Sequence, residues 1–194
     1  MKFNIPKFFF KVILKLNKNY YINSQIRWGK KSLKSSIFFL SFDFETQKDI
    51  EVIDNLTEKL SKLKIVPYYA IPGELIDKNS KILRRISKKS TIINHGYKVH
   101  TKFEEKSKRN FSTLSYLDLS YNEIKIDIER AHNSILKICD QIPRIFRTPH
   151  FGEYSENSKN NLIYSILKDL GYFYSSSTTP IYSIIYSPLF TQNN

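Results

Sequence analysis

Asp43 and Glu45 stand directly behind residues 37–42, a continuous run that is apolar at every position but Ser41. Such a run reads as a strand buried on both faces. A desolvated carboxylate costs free energy unless it is paired, so two of them at the end of that strand call for partners. One reading places Glu45 at the N-terminus of a following helix, where negative charge is favoured. The other makes the pair a base beside a metal ligand. These two residues alone leave both readings open. Two of the four histidines, His95 and His100, fall within Asn94-His95-Gly96-Tyr97-Lys98-Val99-His100. A lone histidine there would read as a hydrogen-bonded loop residue, but a close pair points to a divalent ion. Two imidazoles and one carboxylate leave positions open for water and substrate, as a catalytic metal requires. A third cluster is Phe146-Arg147-Thr148-Pro149-His150-Phe151-Gly152. An arginine at a strand end can grip and orient a carboxylate, and Pro149 with Gly152 defines a tight turn able to aim backbone N–H groups. The simpler alternative is a surface arginine and an ordinary turn.

Positioning these groups takes alternating strands and helices. Thr46 and Asp49 form a capping box, opening a helix whose apolar stripe is Ile50, Ile53, Leu56, Leu60 and Leu63. Residues 65–71 predict a second strand, closed by Pro72-Gly73, and Ile82, Leu83 and Ile86 a short helix. Residues 91–93 form a short third strand running into the histidine segment, and the polar residues 101–112 read as a loop. Ser120 and Glu123 cap the clearest helix, with its stripe at Ile124, Ile128, Ala131, Ile135 and Ile138. His132 lies within it and reads as structural or solvent-facing. A fourth strand is expected at 144–147, a helix through Leu162–Leu170 stopped by Gly171, and a fifth strand at 172–175. This alternation implies a parallel sheet or barrel. Polar residues at the strand C-terminal ends then gather on one rim, and Asp43, Glu45, His95 and Arg147 all fall at such ends.

Composition removes several classes of function. The 194 residues suit one domain with a sizeable core. Thirty-one Lys and Arg against 18 Asp and Glu give a charge of +13, but the lysines are spread along the chain without an Arg-rich cluster. No nucleic-acid partner is expected. Five glycines form no phosphate loop, there is no G-x-S-x-G elbow, and the single cysteine, Cys139, excludes an intrachain disulfide. Cys139 sits in a helical apolar pattern and reads as a core residue. No run reaches the ~18 apolar residues of a membrane span. The apolar stretch 8–16 is interrupted by Lys11 and Lys15 and followed by no small-residue cleavage site. It reads as a short helix packed on the domain, with weak peripheral membrane contact as the alternative. A cytoplasmic or membrane-peripheral location is expected.

Taken in order, the pieces resemble the polysaccharide deacetylase family (NodB type, similar to carbohydrate esterase family 4) over residues 37–180. The first motif is similar to Ser41-Phe42-Asp43-Phe44-Glu45. The commoner family form has two adjacent aspartates, and this sequence resembles the variant whose acids are one residue apart. The histidines are five apart where four is usual, and the segment 146–152 is a close match. The resemblance implies an α/β fold, an incomplete or distorted (β/α) barrel of about five parallel strands with flanking helices. It also implies a divalent metal ion, zinc foremost, on His95, His100 and Glu45. Asp43 would be the base, Arg147 would orient it, and a backbone N–H at the Pro149-His150 turn would face the oxyanion. The substrate would be an N-acetylated polysaccharide or oligosaccharide. The family's late histidine, which protonates the leaving amine, has no counterpart after His150. Residues 1–36 are expected as a basic lead-in, 37–180 as the deacetylase domain lacking its C-terminal part, and 181–194 as an irregular tail. The alternatives are a catalytically impaired relative that binds glycan or metal, and an amidase of this fold acting on a non-sugar amide.

Overall fold

The computed structural model describes residues 39–150 and 157–177, of which 157–160 are described by their backbone alone, together with Asn23 and Arg27. The expectations for the lead-in 1–36, the apolar stretch 8–16, Phe151, Gly152 and the tail 181–194 lie outside the described residues.

Five short strands, β1 (Ser41–Asp43), β2 (Tyr68–Ile71), β3 (Thr91–Asn94), β6 (Ile145–Phe146) and β7 (Tyr174–Ser175), form one sheet in the order β1-β2-β3-β6-β7. Every pairing is parallel. Strand order follows chain order, as in the arc of a singly wound (β/α) barrel. Helices connect the strands: α1 (Gln47–Lys62), α2 (Gly73–Lys78), α3 (Ser80–Ile86), α4 (Tyr121–Ser134) and α5 (Asn157–Asp169). Both capping boxes form. Thr46 accepts from the Asp49 backbone while Asp49 reaches back, and Ser120 and Glu123 do the same at α4. The stripe residues Ile50 and Ile53 are buried in one cluster with Tyr69, Ile71 and Ile92, Leu60 is buried as well, and Ile124 and Ile128 share a second cluster with Phe146 and Tyr172.

Three expectations are corrected. Residues 101–112 are not a loop but an antiparallel hairpin, β4 (Thr101–Glu104) and β5 (Arg109–Ser112). Its strands carry too few apolar residues to show a period of two, and backbone pairing holds them instead. Leu63 does not join the α1 stripe. It caps the helix end and is 67% exposed. The helix α2 starts at Gly73 itself, directly after Pro72, where the sequence signalled only a stop.

The α4 helix runs on into a π-helical turn, Ile135–Cys139, ended by Asp140 at φ 52°. The turn buries Ile135, Ile138 and Cys139 together. Burial pushes the Cys139 thiol up to about 12 from an ordinary 9.0. Above the ordinary value the unfolded chain loses this proton before the folded protein does, so stability falls as pH rises. The slope is about 1.4 kcal/mol per pH unit up to the folded value. In urea titrations, the stability advantage of wild type over Cys139→Ala should therefore shrink between about pH 8 and about pH 10.5. A constant advantage would mean that the thiol titrates alike in both states.

Candidate metal centre

The site is assembled at the C-terminal ends of β1, β3 and β6. Asp43 is the last residue of β1, and Phe44 behind it is buried in the core. This alternation sends Asp43 and Glu45 away from the core, on the same side of Phe44. The helix N-terminus does not claim Glu45. That place is taken by Asp49, whose Oδ2 accepts from the backbone N–H of Thr46 at 2.8 Å and of Glu45 at 3.0 Å. The cap thus fixes the Glu45 backbone and leaves its carboxylate free to turn toward the histidines.

Glu45 Oε1 lies 3.2 Å from His100 Nε2 and 3.5 Å from His95 Nε2, while Oε2 accepts from the Thr101 hydroxyl at 2.6 Å. The two imidazoles meet edge to face, with centroids 4.5 Å apart, and both are buried. His95 Nδ1 is 2.8 Å from the Arg147 carbonyl. A carbonyl only accepts, so this nitrogen carries the proton and Nε2 of the neutral ring carries a lone pair. That Nε2 is buried and makes no hydrogen bond. A bare lone pair facing a carboxylate is unfavourable without a cation between them. His100 Nδ1 leans on the Lys98 carbonyl at 3.4 Å, which favours the same tautomer. Where protons rather than an ion fill the space between rings and carboxylate, donation from the imidazole of His100 first, then that of His95, and from the Thr101 hydroxyl holds the Glu45 carboxyl well below its ordinary 4.5, against the opposing effect of burial. These contacts stabilise the fold above that ordinary value, and the contribution is lost as acid drives the pH down toward the lowered one.

The donors suit a small divalent ion. One ligand atom from each of Glu45, His95 and His100 lies within 4.8 Å of the others. Two ligands about 2.1 Å from a tetrahedral ion stand about 3.4 Å apart, close to both Glu45–histidine separations. Nitrogen and oxygen donors, each imidazole backed by a carbonyl, form a set that zinc accepts. Gly96, between the two histidines, adopts φ 75°.

Arg147 forms the second half of the site. Its guanidinium is buried and donates to Asp43 through Nη1, to Ser41 Oγ through Nη2 at 2.8 Å and to Ser176 Oγ through Nε at 2.9 Å. Asp43 is thereby held in one orientation. Pro149 is buried, and His150 adopts φ 58° with Nε2 2.7 Å from Ser112 Oγ and 3.1 Å from the Leu114 carbonyl. The His150 ring stands edge-on to His100 at 5.2 Å. All seven residues singled out in the sequence therefore lie in or beside one site. His132 lies outside it. Its Nδ1 sits 3.0 Å from the Tyr172 hydroxyl, and burial, then the Arg144 charge, lower its pKa.

Other contributors were not foreseen. The buried Asp127 accepts from the backbone N–H groups of Tyr97 and Lys98, both at 2.9 Å, and from the Tyr116 hydroxyl at 2.6 Å. Glu74 accepts from the Val99 N–H at 3.1 Å. Together they tether the segment joining the two histidines. The available signal was a carboxylate on the apolar face of α4, three residues after Ile124. A Cβ at Gly96 would stand 2.5 Å from Asp127 Oδ2 and 2.7 Å from the Tyr116 hydroxyl, in a left-handed conformation. Gly96→Ala should therefore cost about 2–5 kcal/mol, from backbone strain plus overpacking, and weaken metal retention. Gly171→Ala, also left-handed but opposed by the flexible Arg144 side chain alone, should cost less. Urea midpoints of the two variants make the comparison.

The family described as polysaccharide deacetylase matches residues 30–174. No curated protein matches the chain. Among solved structures, a CE4 family pseudoenzyme from Bacillus anthracis aligns with a TM-score of 0.54 at 16% identity, covering 73% of this chain and 43% of that one. A family 4 carbohydrate esterase from Streptomyces lividans, solved with acetate, aligns at 0.52 with 17% identity, over 72% of this chain and 62% of that one. The chain thus spans less than two thirds of either structure, and identities this low speak for a shared fold.

Proposed function

Because the chain belongs to the polysaccharide deacetylase family, we propose that it is a metal-dependent hydrolase removing N-acetyl groups from a carbohydrate. The observation that carries this reading is the buried, unpartnered Nε2 of His95 aimed with His100 at the Glu45 carboxylate. His95, His100 and Glu45 would hold the cation. A divalent ion there supplies a Lewis acid that acidifies water and polarises a carbonyl. Asp43 takes the proton of the attacking water as general base. Arg147 keeps that carboxylate oriented through Nη1, while its donations to Ser41 and Ser176 hold the guanidinium itself in place. A backbone N–H near His150 would face the oxygen that gains charge as the carbonyl carbon becomes tetrahedral. The C–N bond then breaks, and the proton taken from water is owed to the leaving nitrogen. Acetate and a free amine result.

The test is metal analysis of the purified protein together with acetate release from N-acetylated chito-oligomers and peptidoglycan fragments. Bound zinc with released acetate supports the reading. Bound zinc without acetate favours a relative that holds metal or glycan only, and cleavage confined to small amides favours an amidase. Protein that takes up no divalent ion overturns it.

A further inference from the structure

The parallel sheet has a second edge, opposite the histidines, where the strands begin. Four connections arrive there, residues 62–67 before β2, 87–90 before β3, 140–144 before β6 and 171–173 before β7. Each loop of a water-soluble domain normally presents polar side chains, yet three of these four expose a large apolar one. Leu63 is 67% exposed, Val66 60%, Ile142 63% and Phe173 78%, and the last is the most exposed large apolar side chain of the described residues. Basic residues alternate with them. Lys62, Lys64, Lys88, Lys89 and Arg144 are all exposed, against the single acid Asp140. None of the four lysines is in an ion pair among the described residues.

We propose that this strand-start edge docks on the surface of a bilayer containing anionic lipid. Interleaved apolar and cationic side chains suit the interface, where the first enter the acyl boundary and the second meet the headgroups. The same composition argues against two other occupants. A second copy of the edge would set like charges against each other, and a soluble polyanion would leave the apolar side chains unused. Parallel topology makes the consequence geometric. Docked this way, the Glu45–His95–His100 cluster, at the strand ends, faces away from the membrane. The inference is independent of the chemistry at that cluster.

The experiment is flotation of the full chain with vesicles of phosphatidylcholine alone and of phosphatidylcholine with phosphatidylglycerol. Wild type should float with the anionic vesicles and stay behind with the neutral ones. The pair Lys88→Glu with Lys89→Glu and the pair Ile142→Ser with Phe173→Ser should each lower partitioning by about tenfold or more. All four side chains are exposed, so circular dichroism should be unchanged. Equal flotation of wild type and both pairs would overturn the proposal, because binding would then reside elsewhere in the chain. Loss in the charge-reversed pair alone would also overturn it, in favour of a purely electrostatic polyanion site. Failure of wild type to float, with dimers that the serine pair abolishes, would assign the edge to a second copy. A fluorophore on Phe173→Cys should shift on adding anionic vesicles, and one on Phe111→Cys, in the hairpin beside the metal cluster, should not. The reverse pattern would reject the orientation.

Discussion

Asp43→Asn should lower kcat/KM for acetate release by about 10²–10⁴-fold, the usual worth of a general base, and leave the bound metal in place. The two halves of this result come from different contacts. Asp43 is outside the group formed by Glu45, His95 and His100, so in the proposed site an ion would lose no ligand. Its contact is instead the guanidinium of Arg147, which is also fixed by Ser41 and Ser176. Asparagine keeps the size and one accepting oxygen, so the arginine retains a partner and the site its shape. What disappears is the capacity to take a proton. Some stability should go as well, because a buried cation then faces a neutral amide, although the partial exposure of Asp43 limits that loss. Metal content, thermal midpoint and turnover of this variant separate the roles. Turnover at the wild-type rate would remove Asp43 from the chemistry. Loss of metal would mean that the ion sits between Asp43 and Glu45, a different site from the one described.

The parts of this arrangement legible in the sequence were the local ones. Thr46 with Asp49, and Ser120 with Glu123, signal helix starts through contacts three residues apart, and both capping boxes form. Alternation of apolar runs and helical stripes implies a parallel sheet, and a parallel sheet implies a rim. That reasoning gathers Asp43, Glu45, His95 and Arg147 on one rim. It does not divide the labour between the two acids. The division depends on Arg147, 104 residues from Asp43, and on Asp49 occupying the helix N-terminus that Glu45 would otherwise serve. Nor does it reveal Asp127 or Glu74, which act by accepting backbone N–H groups that every residue but proline carries and no sequence pattern marks. The hairpin at 101–112 escaped for a related reason. Backbone pairing holds it, yet it supplies Thr101 to Glu45 and Ser112 to His150.

His95→Ala should reduce zinc affinity by more than about 100-fold and abolish turnover with it. The bound is set by comparison, since losing a group that merely backs a ligand typically costs about 10–100-fold, and His95 is a ligand in the proposed set. Thr101→Val tests the lesser case. It removes the 2.6 Å donation to Glu45 Oε2 while keeping the ligand, and its affinity should fall within that 10–100-fold range. His95→Ala also removes the Nδ1 donor from the Arg147 carbonyl, so its unfolding midpoint must be measured beside its metal content. The pair discriminates between a metal site and a histidine pair kept for packing. In a packing role, both variants would lose stability in proportion to what they bury, and neither would change the zinc titration. In a metal role, the order of affinities is wild type, then Thr101→Val, then His95→Ala, whatever the order of stabilities. A His95→Ala protein that still holds one zinc at wild-type affinity would remove the lone pair from which the functional reading starts.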